Sequence, residues 1–221
     1  FIKVPQDKRG PIKTIYDRAA AAIGNVPIVV ANDGDVTALA GAMSLHDSCV
    51  MGLAMGASEA VGYVNREGSI LGWFNELAFA PVDLNPHAER DEWSGDIGVG
   101  CKYFSQDAVI KLAPAAGLTP AEKLKAVQQL AERGDARALA IFRDIGVYLG
   151  HTLPLYASVY DLKNLLVLGR VASGVGGETI VAECRRVLAE EYPQLTVSVT
   201  LPDEQFRRVG QSMAAASLPE V

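Results

Sequence analysis

Two apolar rhythms alternate along the chain. Residues 12–23 (IKTIYDRAAAAI) carry apolar side chains at helical spacing, and Gly24-Asn25 supplies a stop. Residues 27–31 (PIVVA) form a short β-branched run that predicts a buried strand, and the polar turn Asn32-Asp33-Gly34-Asp35 leads from it into an alanine-rich helix over 36–45. Strand, polar turn and helix in this order present side chains at the carboxyl end of a sheet, where open α/β folds hold ligands. Three strand-like stretches follow at 49–55, 60–65 and 69–73, the last two joined by Asn65-Arg66-Glu67-Gly68, a connection of hairpin length. Together they predict an antiparallel meander. A loop-rich stretch from Asp83 to Gly100 precedes a helix over 104–112, and Thr119-Pro120-Ala121-Glu122 has the form of a capping box opening the next helix. Asp135 caps a long apolar helix running toward Tyr160, with a bend expected at Pro154. The run at 164–169 (NLLVLG) predicts a strand buried on both faces, followed by a helix over 177–190, an alternating strand over 195–200 and a last helix after Pro202.

From residue 49 onward the order is three strands, an insertion, then helix, strand, helix, strand, helix. A meander extended by two parallel strands with crossover helices predicts an α/β fold of the ribonuclease-H-like kind, the unit used twice in actin, hexokinase and Hsp70-type proteins. Composition narrows the function. The net charge of -6, with no basic run longer than the pairs Lys8-Arg9, Arg185-Arg186 and Arg207-Arg208, disfavours nucleic acid as a partner. No apolar stretch approaches the roughly 20 residues needed to cross a bilayer, so no membrane role is expected. Three cysteines, Cys49, Cys101 and Cys184, lie far apart and form no paired CxxC, which fits a reducing cytoplasm and no disulfide framework.

In PIVVANDGDVTALAGA, the residues Asn32, Asp33 and Asp35 resemble the N-D-x-N segment of the ROK family (repressors, open reading frames and kinases), whose enzymes phosphorylate hexoses with ATP. Residues 72–78 (GWFNELA) look like that family's G-E-x-G-H region, and VLGRVASG from Val167 resembles its V-L-G-G-G stretch. The similarity runs in order from about residue 12 to residue 217. The resemblance implies an actin-like ATPase fold of sugar-kinase type and phosphoryl transfer from ATP with Mg to a hexose or amino-sugar hydroxyl. A sugar hydroxyl attacks ATP only when a carboxylate accepts its proton, so Asp33 is the implied general base. Asn32, Glu76 and Asp96 are the implied sugar contacts, and Gly56, Gly169 and Gly174 the implied nucleotide contacts. Asp33 has an alternative duty as the N-cap of the helix behind it, shared with Asn32 or Asp35.

Several positions depart from the family's pattern. The phosphate turn is Ala54-Met55-Gly56-Ala57-Ser58-Glu59-Ala60, which keeps one glycine and adds a carboxylate that repels phosphate unless a cation lies between them. The segment also reads as an ordinary turn between two strands. The family's zinc-binding histidine position is Phe79, and only Gly100-Cys101 remains of its cysteine cluster, so no metal site is expected. The family's opening D-x-G-G-T motif is missing. Asp96-Ile97-Gly98-Val99-Gly100 matches it superficially but lacks a preceding strand, and predicts a sugar-facing loop. The sequence starts at Phe1, so residues 1–47 are expected to close a first lobe lying upstream, and residues 48–221 to form the second lobe with an insertion at 83–134. Homodimerisation through that second lobe is a further implication of the resemblance. A sugar-binding sensor domain of a transcriptional regulator, without catalysis, is the competing expectation.

Overall fold

A computed structural model describes residues 4–119, 123–203 and 212–218. Its helices are α1 (Arg9–Lys13), α2 (Ile15–Ala22), α3 (Asp33–Leu45), α4 (Gln106–Ala115), α5 (Lys123–Glu132), α6 (Ala136–Val159) and α7 (Gly174–Glu191), and residues 212–217 are also helical. The strands are β1 (Val50–Met55), β2 (Glu59–Val64), β3 (Asn164–Leu168) and β4 (Ser198–Thr200). They form one sheet in the order β2-β1-β3-β4. The β1–β2 pair is antiparallel, and β1–β3 and β3–β4 are parallel.

Strand alternation divides the core between the two faces of this sheet. Met51, Leu53 and Met55 of β1, Val61 and Tyr63 of β2, and Leu165 and Val167 of β3 join the large cluster built with α4, α5, α6 and α7, around Phe104, Phe142 and Tyr156. The opposite face meets α3 through Ala38, Ala42, Val50 and Val64, and Ala40 packs with Leu166 and with Ala214 of the 212–217 helix. Alanine and glycine on α3 leave little side-chain volume, so the helix backbone comes close to the strands. A Cβ added at Gly62 would lie 2.1 Å from the Gly34 carbonyl oxygen, and one at Gly34 would lie 2.5 Å from that of Val61. That close approach fixes where α3 begins, and with it Asp33.

Two predicted strands take other forms. Residues 27–31 run extended but pair with nothing among the described residues, and Val29 and Val30 are more than half exposed. A β-branched run has the propensity for a strand, but a strand exists only through hydrogen bonds to a neighbour, and this one has none. The third meander strand shrinks to one bridge between Val64 and Ile70, because the chain turns away at Gly72, whose φ of 64° is open chiefly to glycine.

The helix predicted at 12–23 divides at Thr14 into α1 and α2. Asp135 caps α6 by accepting the Arg137 amide at 2.9 Å, and Pro154 lies within that helix. The capping residues Pro120-Ala121-Glu122 fall outside the described residues, as does most of the segment following Pro202. No helix among the described residues is long and apolar enough to cross a membrane. The three cysteines are buried and unpaired.

Candidate functional site

The sequence at the start of α3 determines how its polar residues divide their duties. Asn32 is the N-cap: its Oδ1 accepts the Gly34 amide at 2.8 Å, meeting one of the helix's orphan donors. Asp33 Oδ1 also reaches that amide, at 3.0 Å, and its carboxylate stays exposed. With the cap supplied by Asn32, Asp33 keeps lone pairs directed at solvent. A cavity of about 470 Å³ opens at this point, within the roughly 300–1,000 Å³ typical of small-molecule sites. Asn32, Asp33, Asp35, Glu59, Asn75 and Glu76 contribute to its polar lining, and Val29, Val30, Trp73 and Phe74 to its apolar lining.

A relay crossing the fold fastens the opposite wall. Tyr160 at the end of α6 donates its hydroxyl to Asn75 Oδ1 at 3.0 Å, and Asn75 Nδ2 donates to Asp35 Oδ1 at 2.9 Å. Trp73 packs against Tyr160 with ring centroids 6.3 Å apart. The loop that carries Glu76 is thereby tied to the helix that carries Asp33. Burial raises Asp35 above its ordinary value, opposed by the hydrogen bonds from Asn75 and from the Tyr63 backbone.

Glu59 opens β2 with its side chain on the same face as Val61 and Tyr63, so it lies 5% exposed among core residues. Neither of its oxygens makes a hydrogen bond of full geometry among the described residues, and the Tyr156 hydroxyl is the polar neighbour that faces it. Burial pushes the Glu59 carboxyl up to about 8, against the lowering influence of Tyr156. A carboxyl raised in the folded state gives stability that is complete below its unfolded value of 4.5 and is lost as the pH climbs through 8. Wild-type protein is therefore expected to lose thermal stability between pH 5 and pH 8 relative to Glu59→Gln. Melting curves at both pH values check this; parallel shifts in the two proteins would contradict it.

The remaining predicted contacts lie elsewhere. Asp96 is exposed in the turn of the 90–97 segment and is not among the residues lining this cavity. Gly56 and Gly169 follow β1 and β3 at the carboxyl end of these parallel strands. Gly56 caps the β1–β2 turn by donating to the Ser58 carbonyl at 3.0 Å, and Gly169, at φ 93°, lies against the Met55 backbone. Gly174 starts α7, whose N-cap Ser173 makes no side-chain cap bond.

The loop over 80–104 is fastened by charge and aromatic packing. Lys102, buried, reaches Glu92 at 2.6 Å, Asp107 at 3.1 Å and Asp91 at 3.9 Å, and Phe79 packs on Trp93 at 5.3 Å. No group of three or more His, Cys, Asp or Glu side chains placed to hold a metal occurs among the described residues.

Glu59, Asn75, Trp73 and Phe74 line the cavity although the motif segments that contain them gave none of them a sugar-binding role. Alternation along β2 carries the signal for Glu59, since it shares the phase of Val61 and Tyr63. The Asn75–Asp35 bond has no local signal.

An antiparallel pair extended by two parallel strands, with α3 on one face and a helical layer on the other, is the ribonuclease-H-like unit of the actin-like ATPase fold. No family model and no curated protein matches the sequence. Solved structures do. The chain is similar to a ROK family glucokinase from Streptomyces griseus, in complex with glucose and AMPPNP, with a TM-score of 0.73, 22% identity and coverage of 91% of this chain and 70% of the glucokinase. It is similar to the ROK hexokinase from Thermus thermophilus, with a TM-score of 0.71, 19% identity and coverage of 90% and 67%. A ROK family transcriptional regulator, a homologue of the E. coli MLC protein, gives a TM-score of 0.72 and 18% identity over 90% of this chain and 53% of the regulator. The chain thus has the fold shared by ROK sugar kinases and a ROK regulator.

Proposed function

We propose that the cavity at the start of α3 binds a sugar and that Asp33 takes the proton from the sugar hydroxyl that is phosphorylated. One observation carries the reading: Asp33, relieved of capping by Asn32, is exposed in a cavity that Glu76 and Asn32 also line. Asp33 accepts the proton as the hydroxyl oxygen attacks, Glu76 accepts hydrogen bonds from neighbouring hydroxyls, and the Asn32 amide nitrogen donates to a sugar oxygen. The relay from Tyr160 through Asn75 to Asp35 holds the two walls in register. ATP, when bound with Mg, supplies the phosphoryl group. The first turn of α7, uncapped by a side chain, offers backbone amides to phosphate at the sheet's carboxyl end, where Gly56 and Gly169 follow the parallel strands β1 and β3. In this reading residues 1–47 close a first lobe and residues 48–221 form the second.

Magnesium-dependent release of ADP by the full-length protein, scanned over hexoses and amino sugars, tests the proposal. Turnover on at least one sugar is expected; sugar binding without turnover would exclude the kinase. Asn75→Ala is expected to weaken sugar binding by about tenfold, since it removes a hydrogen bond to a charged group from the wall that positions Glu76. Titration calorimetry measures that loss.

A second reading is favoured by the turn before Glu59, which keeps one glycine of the glycine-rich turn of the resembling kinases, and by the similarity to a regulator. It makes the chain a sugar sensor that does not use ATP. Sugar binding with no measurable ATP affinity would support it.

A further inference from the structure

Glu76 is held on its two sides by different means. Ahead of it, Asn75 bonds to Tyr160 and Asp35. Behind it, the chain forms one helical turn, Leu77–Phe79, and the Phe79 amide donates to the Glu76 carbonyl at 3.1 Å. That turn rests on the loop that closes at Gly100–Lys102: the Gly100 amide donates to the Ala80 carbonyl at 3.0 Å, and a Cβ added at Gly100 would lie 2.7 Å from the Leu77 carbonyl oxygen. Phe79 packs on Trp93, with 5.3 Å between ring centroids.

Trp93 is 66% exposed, so burial does little to fix it. Its neighbours fix it instead. Asp91 Oδ2 accepts the Trp93 amide at 3.2 Å and the Ser94 amide at 2.7 Å, and Glu92 lies between Asp91 and Trp93 in sequence. Both carboxylates converge on the Lys102 ammonium, as does Asp107 of α4, and the Lys102 side chain is only 3% exposed. Ion pairs removed from water add little net stability, because desolvation offsets most of the attraction, whereas their geometry admits few alternatives. Resting on the sugar-binding reading above, we propose that Lys102 is a positioning residue for the sugar: by gathering Asp91, Glu92 and Asp107 it sets Trp93, Trp93 sets Phe79, and Phe79 holds the turn from which Glu76 enters the cavity. Lys102 is not among the residues lining that cavity, so it acts through Glu76 and not by touching the sugar.

A double-mutant cycle separates positioning of Glu76 from a general effect on folding. Calorimetric titration of the full-length protein with glucose, mannose, galactose and their 2-amino forms identifies the sugar that binds most tightly. Its affinity is then measured in Lys102→Met and in Trp93→Ala, each with Glu76 intact and with Glu76→Ala. Trp93→Ala alters an exposed side chain, so its result decides the matter where Lys102→Met fails to fold. With Glu76 intact, each variant is expected to weaken binding about three- to tenfold, within the span of coupling between residues of one network. In Glu76→Ala neither is expected to weaken it further. With ATP and Mg, KM is expected to rise while kcat stays near that of the wild type, because Asp33 is held by α3 and not by this loop. Unchanged affinity in both variants, or the same loss with and without Glu76, would overturn this inference alone. No binding of any of the six sugars, or binding unaffected by Glu76→Ala, would remove the sugar-binding reading together with it.

Discussion

Replacing Asp33 with asparagine is expected to lower sugar-dependent ADP release by about 10²–10⁴-fold, the usual contribution of a positioned general base. The substitution keeps size and shape, and the amide oxygen of the new side chain can still accept the Gly34 amide that Asp33 Oδ1 meets at 3.0 Å. Capping of α3 rests on Asn32 in any case, so thermal stability is expected to stay close to that of the wild type. An effect on turnover without one on stability separates a catalytic Asp33 from a capping Asp33. Sugar affinity distinguishes further: a base that acts as the proton transfers lowers kcat more than it raises KM. Equal turnover in Asp33→Asn and wild type would move the proton acceptor elsewhere.

Gly62→Ala is expected to destabilise the fold by about 1–3 kcal/mol, the range for forced overpacking, and to weaken sugar binding with it. The added methyl would meet the Gly34 carbonyl oxygen at 2.1 Å and the Asp35 nitrogen at 2.4 Å. Both are backbone atoms with no rotamer to change, so either β2 or the first turn of α3 must move. Moving that turn displaces Asn32, Asp33 and Asp35 together and strains the bond from Asn75 to Asp35. Gly10→Ala is the control: nothing lies within 4 Å of its Cβ position, and a change within about 0.5 kcal/mol is expected. Denaturant unfolding of the three proteins measures the comparison. A Gly62→Ala variant as stable as wild type would show that the helix and strand are not in contact there.

Local patterns carried much of the fold into the sequence. The 24-residue helix α6 and the apolar strand β3 are long or strongly patterned, and each is capped or punctuated by residues with a mechanical reason to be there: Asp135 before the helix, Gly169 after the strand. Asn32 and Asp33 were legible because capping is local, involving an amide two residues away. Residues 27–31 misled because strand propensity says nothing about whether a partner strand is present. Ser69 to Trp73 misled because one glycine at positive φ turned the segment away from the sheet edge toward the cavity. Glu59 is harder still. Its motif position suggested a phosphate turn, whereas its environment is set by Tyr156, almost a hundred residues further along the chain. The bond between Asn75 and Asp35, 40 residues apart, is of the same kind: neither residue announces the other.

Crystallographic density for the full-length protein soaked with the sugar that binds most tightly in calorimetry tests the central claim most directly. The sugar is expected against the first turn of α3, with one hydroxyl about 2.6–3.2 Å from an Asp33 carboxylate oxygen, hydrogen-bond reach for a base. A sugar bound away from that turn, or one bound there with no hydroxyl within reach of Asp33, would contradict it.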